Sequence, residues 1–272
     1  MKKVIITGPR RVESVDAPDP QPLGDWVVVK VLAAPLCTEW KAYVAGRRCE
    51  QLGHEAAGEI VAVDTPGAVR VGDRVVVMPQ TPCGACALCN AGDYIYCEHC
   101  LDFQAIHGTR DGSATVAQYL LKPSWLLLPV PDSLSIDKAS LACCGLGPSY
   151  GAFDAAGLTE GQTVLITGAG PVGLGAIVNA RFRGCRVLVA ESVPWRKRLA
   201  EQMGATVVDA SETNAASCIR ELTGGTTAFR MPFCPQEKRF AISQVLMARS
   251  KFRPISVANG LMCISLDYGW GS

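Results

Sequence analysis

The sequence predicts a mixed β and α/β chain, a β-barrel or sandwich followed by part of a doubly wound parallel sheet. Three observations carry this: short aliphatic strands before residue 130, strand–helix alternation over residues 163–222, and a Gly-rich turn at Gly168 between a strand and a helix. With 272 residues and 49% hydrophobic content, the chain can bury more than one core. Its 26 basic and 25 acidic side chains leave a formal charge of +1, no footprint for nucleic acid or an anionic membrane. No apolar run approaches the roughly 20 residues that span a bilayer. The basic start, Met1-Lys2-Lys3, breaks at Gly8-Pro9, too soon for the roughly 7–15 apolar residues of a secretory signal, so a cytoplasmic location is expected. Thirteen cysteines in a reducing compartment are not expected to form a disulfide framework, and they point to metal.

The β-rich part is read from runs at residues 26–32, 58–63, 74–78 and 117–121, each β-branched or aliphatic and bounded by Gly, Pro or Asp. Pro129-Val130-Pro131-Asp132 closes it. An Ala- and Leu-rich stretch from Ser135 predicts a helix to residue 156, disturbed at Pro148. Strands then follow at 163–167, 186–191 and 206–209, alternating with helices at 171–183, 194–203 and 213–222.

Cys83, Cys86, Cys89 and Cys97 fall within fifteen residues, and Gly84 and Gly92 permit the turns that would fold four thiolates around one ion. Zinc takes four such ligands at about 2.3 Å in a closed tetrahedron, which makes this a structural site. Two local disulfides are the competing reading, disfavoured by the compartment. His99 and Cys100, just beyond, are read as ordinary surface residues. A nucleic-acid-binding zinc ribbon is disfavoured because residues 1–225 carry a net charge of −3.

The turn Gly168-Ala169-Gly170-Pro171-Val172-Gly173 has the spacing of a dinucleotide fingerprint in the context that motif requires. Gly168 would make the tight turn, Gly170 would let backbone approach a pyrophosphate, and Gly173 would permit helix–strand packing, with helix amides receiving the phosphate charge. Glu191 ends the next strand, where an acidic side chain binds the ribose 2′-hydroxyl and repels a 2′-phosphate, favouring NAD over NADP. Arg196 and Lys197 lie nearby and are read as a solvated helix face.

Gly53-His54-Glu55-Ala56-Ala57-Gly58 places one of three histidines beside a carboxylate. Such a pair alone is more often a structural histidine. Here it follows a Cys-bearing loop, Pro35-Leu36-Cys37-Thr38-Glu39, and precedes the cysteine lobe and the nucleotide turn. In that order of motifs, over roughly residues 20–225, the chain resembles the zinc-dependent medium-chain alcohol, polyol and threonine dehydrogenases. The resemblance implies a GroES-like β-barrel catalytic domain at 1–150 and the first half of a Rossmann domain at 151–225. It implies a second, catalytic zinc held by Cys37, His54 and Cys144, with Glu55 able to approach the metal. Cys144 is chosen over Cys143 because it stands six residues before Tyr150-Gly151-Ala152. It also implies hydride transfer from a secondary alcohol or polyol to NAD(P)+. Many members carry Ser or Thr two residues after the ligand cysteine; this chain has Thr38 one residue after it and Glu39 in the second place. Ala42 stands where some members use a histidine. Either Thr38 or Glu39, the latter as general base, is expected to relay the proton.

Residues 163–225 supply about half of a six-stranded dinucleotide fold, since one βαβ unit takes about 30 residues. The segment 226–272 carries a net charge of +4, four of the seven Phe and three of the six Met, and shows no strand–helix alternation. The expectation is a truncated or frame-altered tail that removes substrate-lining residues, leaves a sheet edge exposed and compromises any homo-oligomer. The competing expectation for the whole chain is a non-catalytic zinc-binding homologue.

Overall fold

The computed structural model describes residues 1–224 and, beyond them, the backbone of three short strands at Phe229–Pro232, Ser256–Val257 and Gly260–Leu261. The chain divides into two compact units, Met1–Cys144 and Gly145–Ser272.

The first unit opens with an antiparallel hairpin of β1 (Lys2–Gly8) and β2 (Arg11–Asp16). Its main sheet contains β3 (Trp26–Ala33), β4 (Ala56–Ala62), β5 (Arg74–Val77), β6 (Tyr119–Pro123) and β7 (Leu127–Pro129), all antiparallel in the order β6-β3-β4-β5-β7. Among the described residues no ladder joins the outer strands β6 and β7, and isolated bridges Lys3–Ala117 and Ile6–Cys49 connect β1 to this part of the chain. Alternation along β3 explains why Trp26-Val27-Val28-Val29 is apolar throughout. Val27 and Val29 join Ile60, Val75, Val77 and Leu120 in one core, while Trp26 and Val28 join Leu121 in another. A strand covered on both faces loses the polar half of its pattern.

The second of those cores contains a ring cluster. Trp26 meets Phe103 and His107 edge-on, with centroids 5.5 and 4.6 Å apart, from the short helix Phe103–His107. His107 Nε2 is buried without a hydrogen-bond partner, and burial lowers the pKa of the ring below the usual value. The neutral imidazole is therefore the folded form, whereas the unfolded chain binds the proton more tightly. This contribution to stability is complete above the unfolded pKa and is lost as pH falls through the folded one. His107→Phe should flatten the fall in urea midpoint between pH 7.5 and 5; a variant with the wild-type slope would refute the assignment.

The expected helix over residues 135–156 is broken. It consists of a short helix Ile136–Ala139, a π-helical turn Ala142–Leu146, and, opening the second unit, a helix Gly147–Ala155 with Pro148 in its first turn. Proline lacks the N–H a helix interior needs but fits the first turn, so Pro148 starts a new helix.

In the second unit, β8 (Thr163–Thr167), β9 (Arg186–Glu191) and β10 (Thr206–Asp209) alternate with helices at Pro171–Phe182, Pro194–Gln202 and Ala215–Thr223. With β11 (Phe229–Pro232) they form a parallel sheet in the order β10-β9-β8-β11. Val164, Ile166, Val187 and Val189 pack with Ala176, Ile177 and Ala180 on one face; Leu165, Leu188 and Val208 pack with Ala215 and Ile219 on the other. Helices on both faces make the sheet doubly wound. The strand β11, which the sequence did not indicate, gives β8 a parallel neighbour on each side, and strand order reverses there; among the described residues no helix follows it. Ser256–Val257 and Gly260–Leu261 form a separate antiparallel pair, and the rest of the tail lies outside the described residues. Among the described residues, no helix is long and apolar enough to cross a membrane.

Candidate metal centres and dinucleotide turn

The cysteine lobe folds through a four-residue helix, Ala87–Asn90, and a 3-10 turn, Tyr94–Tyr96. The Sγ atoms of Cys83 and Cys97 lie 3.6 Å apart, those of Cys83 and Cys89 3.9 Å, and those of Cys86 and Cys97 4.0 Å. Tetrahedral zinc–sulfur bonds of about 2.3 Å imply sulfur–sulfur edges of about 3.8 Å. These separations fit that edge and are far from the roughly 2.05 Å of a disulfide. Backbone N–H groups of Ala85 and Cys86 point at Cys83 Sγ from 3.5 and 3.4 Å and hold its pKa down at about 6. The Cys83 N–H lowers that of Cys97 in the same way, while burial pushes Cys89 up to about 12. Cys100 is exposed, directs its thiol at the Cys97 carbonyl and stays outside the four-sulfur group.

The second centre is assembled from three distant places: the loop before helix Glu39–Ala45, the loop entering β4, and the π-helical turn. Ligand atoms of Cys37, His54, Glu55 and Cys144 lie within 4.8 Å of one another. His54 Nε2 is 3.1 Å from Cys144 Sγ and 3.7 Å from Glu55 Oε1. Two carboxylates tie the set together. Glu39 Oε1 contacts His54 Nδ1 at 2.5 Å, and its Oε2 accepts the Cys37 N–H at 2.8 Å. Glu55, almost fully buried, accepts the Cys144 N–H at 3.0 Å through Oε2.

Electrostatics fit a cation. Hydrogen bonds from Cys144 and then His54 bring Cys37 down to about 5, and those with Cys37 and Glu39 raise His54 to about 10. The contact with Cys37, then burial, pushes Cys144 up, and burial raises Glu55. Burial pushes Glu39 up, but its bonds to His54 and Cys37 outweigh it, and the net shift is down. Two sulfurs, an imidazole nitrogen and a carboxylate within 4.8 Å of one another form a donor set that suits zinc once the ring and thiols give up their protons.

Cys143, adjacent in sequence, faces away: its Sγ lies 3.7 Å from the Val77 carbonyl, and it packs with Ala57 and Val76. The structure also revises Glu39. Expected as a possible general base, it has both oxygens on the ligand loops, which makes it the group that orients His54. Thr38 precedes the same helix without a side-chain capping bond. Glu39→Ala should weaken metal binding at this centre about 10–100-fold, measured by chelator competition, with the lobe unaffected. Unchanged affinity would remove Glu39 from the centre.

At the Gly-rich turn, Gly168 has φ +93, a conformation that favours glycine. A Cβ on Gly173 would lie 2.0 Å from the Gly168 carbonyl oxygen, whereas one on Gly170 meets nothing within 4 Å. The helix therefore packs tightly behind the turn and is open at its mouth. Pro171 starts the helix and gives up no needed donor, while the first-turn amides of Val172 and Gly173 have no intrahelical acceptor. These features suit a pyrophosphate. Glu191 is fully buried; its Oε2 accepts the Ala169 N–H at 2.7 Å and its Oε1 those of Ser192 and Val193 at 2.7 and 2.9 Å. The side chain thus braces the turn, a role the strand-end pattern did not signal. Arg196 lies over the Trp195 ring, and Lys197 pairs with Asp209 and holds that carboxyl well below the usual range.

A family model described as an alcohol dehydrogenase GroES-like domain matches residues 24–132. The chain is 33% identical over 237 residues to a sorbitol dehydrogenase of Bacillus subtilis (strain 168), covering 82% of this chain and 65% of that protein. It is 30% identical over 253 residues to an erythritol/L-threitol dehydrogenase of Mycolicibacterium smegmatis, covering 83% and 67%. Among solved structures, an alcohol dehydrogenase from Thermus sp. ATN1 superposes with a TM-score of 0.78 at 26% identity, covering 93% of this chain and 75% of that one. The chain spans only 61–65% of the length of the first curated relatives it matches.

Proposed function

The chain belongs to the zinc-type medium-chain alcohol dehydrogenases, and from that premise we propose that it oxidises a secondary alcohol or polyol, using NAD in preference to NADP. The observation that carries the proposal is the convergence of Cys37, His54, Glu55 and Cys144 from three separate segments. Two zinc ions are proposed, one there and one in the Cys83–Cys86–Cys89–Cys97 lobe. Bound between Cys37, His54 and Cys144, zinc would supply a Lewis acid for an alcohol oxygen, and the nicotinamide would accept hydride.

The chain's own residues have distinct tasks in this reading. Cys37, His54 and Cys144 hold the metal, Glu55 stands beside it as an exchangeable oxygen ligand, and Glu39 fixes the ring so that Nε2 faces inward. Thr38, one residue after Cys37, would relay the substrate proton in this reading. Gly168, Gly170, Pro171, Val172 and Gly173 receive the pyrophosphate. The acidic side chain of Glu191 at the end of β9 supports NAD over NADP. The proposed division is a catalytic domain at 1–150, a dinucleotide-binding part at 151–225 and a tail at 226–272, in a cytoplasmic protein with a small-molecule substrate. A second reading is a zinc-binding homologue without turnover. Zinc content per chain, NAD binding and NAD-dependent oxidation of a panel of secondary alcohols and polyols separate the two. Two zinc ions with turnover support the enzyme; zinc without NAD binding supports the alternative.

A further inference from the structure

The Gly-rich fingerprint ends at Gly173, yet the helix Pro171–Phe182 goes on to place two poor helix formers, Gly175 and Asn179, four residues apart and therefore on one face. Neither is needed to seat a phosphate. Both are buried against the turn that follows Cys144. A Cβ on Gly175 would lie 1.8 Å from the Gly145 carbonyl oxygen, 2.7 Å from the Gly145 carbonyl carbon and 3.4 Å from Leu146 Cα. Helix backbone thus rests directly on turn backbone. Asn179 Nδ2 donates to the Leu146 carbonyl at 2.8 Å and to Ser149 Oγ at 2.6 Å, and Ser149 Oγ donates to the same carbonyl at 3.1 Å. Ser149 is fully buried and Asn179 nearly so, so water does not readily replace these bonds.

We propose that Gly175 and Asn179 are positioning residues for Cys144: they clamp Gly145 and Leu146, the half of the π-helical turn that follows the thiol. The turn has five residues, Ala142–Leu146, in a π-helical winding of the kind found mostly as single turns at functional sites. Cys144 is one peptide bond from Gly145, and its own N–H is held by Glu55. The thiol is therefore fixed from both sides: by the carboxylate at its own amide and by the clamp on the two residues after it. The bland alternative is that Gly175 and Asn179 only pack the helix Gly147–Ala155, in which case the metal would not sense them.

The proposal rests on the reading that Cys37, His54 and Cys144 hold a metal, and the test separates the two. Protein loaded with Co2+ would be prepared as wild type, Asn179→Leu, Gly175→Ala, Ser149→Ala and, as a control on an exposed position of the same helix, Val178→Ala. The readouts are metal per chain, the thiolate–cobalt charge-transfer spectrum and metal release to a chelator, with the four-cysteine lobe as internal reference. Asn179→Leu and Gly175→Ala should release the second metal about 10–100-fold faster and shift its spectrum, leaving the lobe metal unchanged. Ser149→Ala, which leaves the Asn179 bond to Leu146, should give a smaller change of the same sign. Folded Asn179→Leu and Gly175→Ala proteins with wild-type release and spectra overturn the proposal. If those two do not fold, wild-type behaviour of Ser149→Ala overturns it. A wild-type protein that binds one metal per chain overturns this inference together with the functional reading; two metals with unaffected variants overturn this inference alone.

Discussion

Replacing Cys89 by serine is expected to remove one zinc per chain and to unfold the segment between Cys83 and Cys97. Little else holds that segment. Its helical pieces have four and three residues, too short to persist alone, and Cys89 is the only buried residue of the first. Its tyrosines at 94 and 96 and Ile95 are exposed. Among its described side chains, the converging sulfurs are the nearest equivalent of a core, and metal binding is then local folding free energy. Metal analysis, protease cleavage between residues 83 and 97, and amide exchange there report the result. Chelation of the wild type should reproduce the exchange pattern of the variant. Full zinc content and wild-type protection in Cys89→Ser would sink the prediction.

Gly173→Ala and Gly170→Ala should separate stability from binding. At Gly173 the new methyl would lie 2.0 Å from the Gly168 carbonyl oxygen, a backbone atom that cannot turn away. The helix must lift from the turn, at a cost of about 3 kcal/mol, the upper end for overpacking. At Gly170 the methyl meets nothing in the free protein, and φ is −73, so stability should change little. There the methyl would occupy the approach of a pyrophosphate. Urea unfolding should therefore distinguish the first variant from wild type, and dinucleotide titration the second. Equal stability loss in both, or unchanged dinucleotide affinity in Gly170→Ala, would contradict the assignment of the turn.

Legibility followed sequence distance. The four-cysteine lobe was read from spacing because its donors lie within fifteen residues and its glycines mark the turns. The strands at 163–167, 186–191 and 206–209 were read to the residue, because runs buried on both faces are bounded by glycine, proline and capping side chains. The helix expected across 135–156 was wrong because composition favours helix there while local geometry requires a π-helical turn around Cys144 and a fresh start at Pro148. The strand Phe229–Pro232 was missed because a four-residue strand without a following helical pattern gives no periodicity to detect.

The amino-acid sequence by itself determined the alternating strands and helices of residues 163–222, the close spacing of Cys83, Cys86, Cys89 and Cys97, and the Gly-rich turn between a strand and a helix. Each depends on residues within about one turn or one strand of each other, where side-chain period and glycine conformation act directly. The resemblance already favoured Cys144 over Cys143; only the tertiary structure decided that Glu39 grips the histidine and that Glu191 braces the Gly-rich turn. It alone placed Asn179 on the turn beyond Cys144. Those contacts join residues 15, 22 and 33 positions apart. Such distances are closed by the packing of whole elements, to which no local pattern is sensitive.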